Sequence, residues 1–293
     1  MKVQKGKIHK YLGMMLDFSV TGSVRIDMDE YIKALIDEFP EKVIGLAVMP
    51  ATEALFKVNE DGKKLGEEKA QQFHTTVAKA LFLCKRARLD KQVAVVFLTT
   101  RVTEPDEDDW KKLVRLVKYL NGTKTLKLTL NASNSDECKW WVDASYAVHP
   151  NMRSHTGIAF SMGNGTPICF STKQKLNTKS STEAELVGAD DAMPNVLWTS
   201  YFLKEQGYST TTPIMYQDNR SAILLEQNGT RSSSKHTKHI NVRYYFITDR
   251  INNGELIVKY CPTDDMLGDF FSKPTQGKLF KKFRRKILNL HDP

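Results

Sequence analysis

The sequence predicts an α/β protein: a mixed five-stranded sheet with flanking helices, preceded by a mainly helical segment that carries a β-hairpin. Two patterns lead there. From residue 139 onward, three strand-like runs follow one another across turns, and two later apolar runs are separated by stretches of helical periodicity. That is the order of a mixed sheet covered by helices. Before residue 135, one pair of strand-like runs gives way to stretches in which apolar residues recur at helical spacing. A length of 293 residues, 41% of them hydrophobic and 26% charged, suits a globular chain of two domains.

Residues 8–18 read as one strand, and Gly22 turns the chain toward 23–28, where apolar and polar residues alternate. Asp29 caps a helix to about Phe39, with Tyr31, Ile32, Leu35 and Ile36 on one stripe and Pro40 as its stop. Pro50, Gly62 and Gly66 break 41–66 into loop. Helices follow over 67–88, with Phe73, Val77, Ala80, Leu81 and Cys84 inward, and over 92–103, with Val93, Val96, Phe97 and Thr100 inward. Pro105 opens a third, which buries Trp110, Leu113, Val114, Val117 and Leu120 and stops at Asn121-Gly122. Its acidic start, Asp106 to Asp109, reads as a solvated first turn at the positive end of the helix, not as a metal site. A short strand over 126–130 leads into a polar break, which is the expected domain boundary.

The second half opens with strands over 139–143, 155–162 and 166–171, the last two joined by Gly163-Asn164-Gly165. A helix then runs to Gln206, with Ser181 or Thr182 as N-cap and Pro194 as an expected kink. A strand over 213–217, a short helix over 219–227 and a basic loop, 231–239, come next. Ile240, Tyr244, Ile247 and Ile251 form the inner stripe of another helix, followed by a strand over 255–260 and a final helix over 264–272. Residues 278–286 set six basic residues among Leu279, Phe280 and Phe283. The expected division is 1–135, 136–276 and a basic tail, 277–293.

The net charge of +9 is unevenly spread: 23 Lys/Arg against 20 Asp/Glu in 1–137, and 20 against 14 in 138–293. A basic surface around sparse acids suits a polyanionic substrate. No apolar run reaches the roughly 18 residues of a membrane span, and no apolar segment follows the basic N-terminus as in a secretory signal. The four cysteines, Cys84, Cys138, Cys169 and Cys261, are widely spaced, as reduced buried thiols would be. An intracellular protein, cytoplasmic or nuclear and not secreted, with no membrane partner, is expected.

The acids of the second half fall at matching places. Asp143 leaves the first strand, Asp218 leaves the fourth, Asp269 lies in the last helix, and Glu183 or Glu185 lies in the first turn of the long helix. Carboxylates gathered where strand ends meet helix starts suit Mg²⁺. Two such ions about 3.5–4 Å apart can activate a water and stabilise the leaving oxygen of a phosphodiester.

Seven strings occur in one order between residues 142 and 274: Val142-Asp143-Ala144-Ser145-Tyr146-Ala147, Arg153-Ser154-His155-Thr156-Gly157, Ser171-Thr172-Lys173-Gln174-Lys175, Ser180-Ser181-Thr182-Glu183-Ala184-Glu185-Leu186, Gln217-Asp218-Asn219-Arg220-Ser221-Ala222-Ile223, Lys235-His236-Thr237-Lys238-His239-Ile240 and Gly268-Asp269-Phe270-Phe271-Ser272-Lys273-Pro274. In these the second half resembles the ribonuclease H domain of Ty1/copia-type retrotransposon Pol polyproteins. The first half is similar to the thumb and connection region of the same family's reverse transcriptase, on Tyr11-Leu12-Gly13-Met14, on 78–90 and on 116–123. The Tyr-x-Asp-Asp turn of a polymerase palm is absent; Ala189-Asp190-Asp191-Ala192 falls inside the long helix.

The resemblance implies a C-terminal part of such a polyprotein, with a ribonuclease H-like fold and Asp143, Glu185, Asp218 and Asp269 as catalytic metal ligands for two Mg²⁺ or Mn²⁺ ions. Glu185, not Glu183, matches the family's Glu-Leu-x-x-Ala pattern. Asp264 and Asp265 are read as capping residues, with auxiliary ligation as the other role, and His236 and His239 as phosphate or structural contacts. Gly268 stands where the family more often has alanine. The implied substrate is an RNA–DNA hybrid, whose RNA strand would be hydrolysed endonucleolytically. Lys173, Lys175, Lys179, Asn219, Arg220, Lys235, Lys238 and Arg243 are the expected nucleic-acid contacts. Ser145, Thr172, Gln174 and Asn219 would meet the groove and its 2′-hydroxyls. No DNA polymerase activity is expected from this chain alone, and a palm-containing reverse transcriptase is a further expected partner. The alternative is a catalytically inactive nucleic-acid-binding remnant. An integrase-type transferase differs in placing glutamate last among its acids, not second.

Overall fold

The computed structural model describes residues 5–132, 136–229 and 238–290, and for 238–244 the backbone alone. It divides into two compact units, 1–131 with 274–293, and 132–273.

In the first unit, β1 (Ile8–Tyr11), β2 (Met14–Asp17), β3 (Ser23–Asp27) and β4 (Leu128–Asn131) form an antiparallel sheet in that order. The expected hairpin is thus part of a four-stranded sheet. The run 8–18 is two strands rather than one, because Leu12 and Gly13 adopt φ of 48° and 79° and close a two-residue turn between Tyr11 and Met14. A tight hairpin needs positive φ at both central residues, which glycine supplies without strain.

Helices α1 (Asp29–Asp37), α2 (Glu67–Cys84), α3 (Gln92–Thr99), α4 (Glu107–Gly122) and α9 (Gly277–Leu288) complete this unit. Met28 rather than Asp29 holds the N-cap of α1, with no side-chain cap. Of the acids opening α4, Glu107 and Asp108 stay partly exposed, but Asp106 and Asp109 are not solvated. Asp106 accepts from the backbone of Asp108 and Asp109 in a capping box, and both Asp106 and Asp109 are buried against Arg101. The satisfied amide donors and the guanidinium offset the burial of charge.

Arg88 is fully buried, makes a two-pronged pair with Asp90 at 2.9 and 2.8 Å, and also donates to Thr123. The Tyr119 hydroxyl donates to the same Asp90 carboxylate. The stretch expected as a basic tail is helical over Gly277–Leu288: Phe280, Phe283, Ile287 and Leu288 are buried, and Arg284 reaches the Tyr119 hydroxyl at 3.3 Å.

The second unit has β5 (Lys139–Ser145), β6 (His155–Ser161), β7 (Ile168–Lys173), β8 (Ile214–Gln217) and β9 (Ile257–Tyr260) in the order β7-β6-β5-β8-β9. β5, β6 and β7 pair antiparallel, and β5, β8 and β9 parallel, so the predicted mixed five-stranded sheet is present. The helices are α5 (Ser181–Glu205), α6 (Arg220–Asn228), α7 (Lys238–Asn252) and α8 (Asp269–Ser272). Trp140 and Phe160 face each other across β5 and β6 with ring centroids 4.5 Å apart, and with Val142, Ile158, Met193, Val196, Met215, Ile247 and Val258 they form the core. Cross-strand aromatic pairs of this kind hold register as well as bury area.

Two helix boundaries depart from expectation. Ser180 caps α5, one residue before Ser181. The final helix expected over 264–272 is a 3₁₀ turn, Thr263–Asp265, and the four-residue α8. The apolar run Phe270-Phe271 buries both rings, so packing rather than helical length holds α8.

Candidate metal centre

The site forms where the sheet meets α8. Asp143 is an inner residue of β5, two residues before the strand ends, and lies opposite Gly157 of β6. A Cβ on Gly157 would sit 2.3 Å from the Gly268 carbonyl oxygen, 2.4 Å from the Ser272 nitrogen and 2.6 Å from the Phe271 carbonyl carbon. Glycine at 157 therefore lets the backbone of 268–272 rest directly on the strand. A Cβ on Gly268 would lie 2.8 Å from the Asp143 nitrogen. Glycine at 268 therefore lets the two main chains approach here as well.

This close approach delivers Asp269 to Asp143, and β8 delivers Asp218. One carboxylate oxygen from each of Asp143, Asp218 and Asp269 lies within 4.8 Å of the others. Asp143 and Asp269 are buried and Asp218 is half-buried. Glu185 is buried on α5, accepts from the Ala144 backbone, and has no hydrogen-bond partner at Oε2 among the described residues. Glu183 is partly exposed; it accepts from the Lys179 backbone, and its own amide donates to the N-cap Ser180 Oγ. The two glutamates thus have different surroundings.

The electrostatics are those of negative charge held out of water. Burial, then Asp143 and Asp218, holds the Glu185 carboxyl well above the usual range. Burial and Asp143 raise Asp218 in the same direction. Burial and Asp143 push Asp269 up to about 8, against the pull of Lys273. Lys273 lies 2.7 Å from Asp269 and 3.9 Å from Asp143. Burial works against its charge, and Asp143 and Asp269 more than offset that, so its pKa is raised. The Ser272 hydroxyl donates to Asp143, and the Thr263 hydroxyl to Asp218 at 3.1 Å.

Glu185 is not in that group of three, though Asp143 and Asp218 act on its carboxyl, and one lysine does not compensate the three converging aspartates. Oxygen donors alone, convergent and short of cationic partners, fit a hard divalent cation. The Glu185 oxygen left without a partner fits the same conclusion.

Lys273, Ser272 and Thr263 were not singled out by sequence reasoning, although the first two belong to the string that carries Asp269. Glu226 was missed as well. It is buried on α6, its carboxyl is pushed up to about 8 by burial, and it accepts from Gln217 at 3.2 Å. Nothing but its place beside Ala222 and Ile223 on the helical period signals that burial.

The expected nucleic-acid residues are dispersed. Lys175 and Lys179 are exposed, Lys173 is partly exposed at the end of β7, and Arg220 is exposed with its guanidinium 4.6 Å from the Tyr260 ring. Asn219 caps α6 through Ala222. Gln174 is buried and donates to Thr156 and Ala184, so it ties β6 to α5 and is withdrawn from any groove, a correction to its expected role. Thr172 is exposed and Ser145 half-buried. Lys235 and His236 lie outside the described residues; Lys238, His239 and Arg243 lie on α7, within the stretch described by its backbone alone. Asp264 and Asp265 are exposed in the 3₁₀ turn, which has no side-chain cap. No helix among the described residues is long and apolar enough to cross a membrane.

No protein-family model matches the chain. It is 32% identical over 202 residues to a retrovirus-related Pol polyprotein from transposon RE2 of Arabidopsis thaliana, covering 68% of this chain and 14% of that polyprotein. It is 25% identical over 292 residues to the corresponding polyprotein from transposon TNT 1-94 of Nicotiana tabacum, covering 98% of this chain and 22% of that one. The chain thus spans less than a quarter of the length of these relatives. Among solved structures, a foamy viral protease-reverse transcriptase in complex with an RNA/DNA hybrid matches with a TM-score of 0.51 and 10% identity, over 93% of this chain and 31% of that one. At that identity the likeness is one of fold.

Proposed function

With retrovirus-related Pol polyproteins of transposons as its homologues, we propose that this chain is a metal-dependent endonuclease that hydrolyses the RNA strand of RNA–DNA hybrids as part of a retrotransposon polyprotein. The observation that carries the reading is the convergence of Asp143, Asp218 and Asp269 within 4.8 Å. These three, with Glu185, would hold Mg²⁺ or Mn²⁺, which would supply an activated water and a stabilised leaving oxygen at the phosphodiester.

The remaining work falls to the chain's own side chains. Ser272 and Thr263 fix the rotamers of Asp143 and Asp218 by donating to them. Lys273 favours the ionised form of Asp269, which burial and Asp143 disfavour, and so opposes the rise of its pKa. Exposed Lys175, Lys179 and Arg220, with the partly exposed Lys173, supply the electrostatic part of hybrid binding, which is independent of sequence. Asn219, Lys235, Lys238 and Arg243 complete the proposed contacts.

The test is a labelled RNA–DNA hybrid incubated with the purified chain and Mg²⁺. Cleavage of the RNA strand that Asp143→Asn abolishes is the expected result; an intact hybrid with both proteins would overturn the reading. Binding without hydrolysis would select the inactive remnant instead. The assignment of Glu185 is checked separately: Glu185→Gln should remove cleavage and Glu183→Gln should not, and the opposite outcome would reverse it.

A further inference from the structure

Helix α9 is divided between two chemistries. Phe280, Phe283, Ile287 and Leu288 are buried in the first unit, where the helix packs on the 89–91 turn and β4. Lys278, Lys281, Lys282, Arg285 and Lys286 are exposed. Positions 278, 281, 282, 285 and 286 follow the three- and four-residue spacing of one helix face. The seven steps from Lys278 to Arg285 span about 10 Å of helix axis, so the stripe is an extended cationic surface rather than a single charge.

The helix dipole favours Arg285 and Lys286 in the last turn of α9, but not the lysines at its start. A cation in the first turn opposes the helix dipole, and acids there would favour it. α9 has Lys278 in that turn, no acid, and no side-chain cap from Gln276. In the same unit α4 does the reverse, with Glu107, Asp108 and Asp109 and a full capping box. Neither Lys278 nor Lys281 has an ion-pair partner among the described residues.

We propose that the exposed basic face of α9, in the first unit, is a docking surface for the phosphate backbone of a nucleic-acid duplex. The charge is complementary to a polyanion, and a stripe of lysines and arginine on a rigid helix contacts phosphates without reading bases. An anionic membrane is the poorer fit. Interfacial helices insert an apolar face into the bilayer, and here that face is already buried within the protein. The inference rests on the nuclease reading for its choice of partner, though not on catalysis.

The experiment measures affinity of the full chain for a fluorescent RNA–DNA hybrid in EDTA across 50–200 mM salt, for wild type and K278Q/K281Q/R285Q. Three lost phosphate contacts lower the slope of log K against log salt by about 2.7, so the wild type should lose about 40-fold more affinity than the variant over that range. The exposed Lys278 and Lys281 should leave the melting temperature unchanged when replaced alone, and K278Q/K281Q and a single K281E variant repeat the test if the triple variant does not fold. Equal slopes in wild type and variants overturn the proposal. So does a variant that loses binding to phosphatidylserine vesicles but keeps its hybrid slope. A lowered slope with no cleavage by the wild type would sink the nuclease reading and leave the surface standing; cleavage with an unchanged slope would do the opposite.

Discussion

Alanine at position 157 tests the architecture of the metal centre without touching a carboxylate. Ordinarily Gly→Ala in extended backbone gains about 0.4–1 kcal/mol by restricting the unfolded chain. Here the new Cβ would fall 2.3, 2.4 and 2.6 Å from three main-chain atoms of 268–272, against an ordinary contact of 3.4–4 Å. The segment that holds Asp269 must therefore retreat from β6 by about 1 Å. Overpacking of this kind costs typically about 1–3 kcal/mol, and main-chain atoms cannot yield by changing rotamer, so the upper end applies and the sign is destabilising. For a unit of 142 residues (132–273) that is a fall of roughly 6–12 °C in melting temperature. Asp269 would move relative to Asp143 and Asp218, and a 1 Å misplacement costs on the order of 100-fold in rate. Circular-dichroism melts and the hybrid-cleavage assay at a temperature where the variant stays folded read the two effects separately. A variant that melts within 2 °C of wild type and cleaves equally would refute the idea that glycine at 157 positions the site.

Other outcomes follow from groups around the same unit and its neighbour. Burial pushes the Glu226 carboxyl up to about 8, so the folded state binds its proton more tightly and its contribution falls as pH rises from about 4.5, the usual range of a glutamate, to 8. Glu226→Gln should therefore gain on wild type by up to about 1.4 kcal/mol per pH unit across that window, checked by metal-free melts from pH 5 to 8.5; parallel curves would contradict it. Lys273→Met should raise the pH needed for half-maximal Mg²⁺ binding, because Asp269 loses the cation that lowers its pKa, and calorimetric titration at several pH values reads the shift. In the first unit Tyr119→Phe removes a donor to buried Asp90 and should cost about 1–3 kcal/mol in denaturant unfolding, with no change in hybrid cleavage.

Much of the second unit was legible because its signals are local. Alternating apolar residues and the Gly163-Asn164-Gly165 turn mark the antiparallel strands, and each strand or helix that carries an acid has its own boundary signal. The first turn of α5 was less clear: two glutamates two residues apart both satisfy the helix dipole, the resemblance alone favoured Glu185, and the structure adds that Glu185 is buried and Glu183 partly exposed. What escaped was set by contacts distant in sequence. Lys273 is an unremarkable lysine until the close approach of 268–272 to β6 brings it beside Asp269 and Asp143. Asp106 and Asp109 look like surface acids until Arg101, on the preceding turn, closes over them. Gly157 gives no hint in the sequence that it meets residues more than a hundred positions away.

The membership of α9 in the first unit has a consequence for the order in which the protein can be made. Residues 1–131 emerge first, but the helix whose Phe280, Phe283 and Ile287 are buried among them follows only after 132–273. At about 5–20 residues per second, 142 residues take roughly 7–30 s to synthesise. Over that interval the apolar surface beside Tyr119 and the 89–91 turn stands open to solvent, chaperones or another nascent chain. The second unit, continuous in sequence, can close as soon as it is complete, so the half of the chain translated first is the half that finishes folding last.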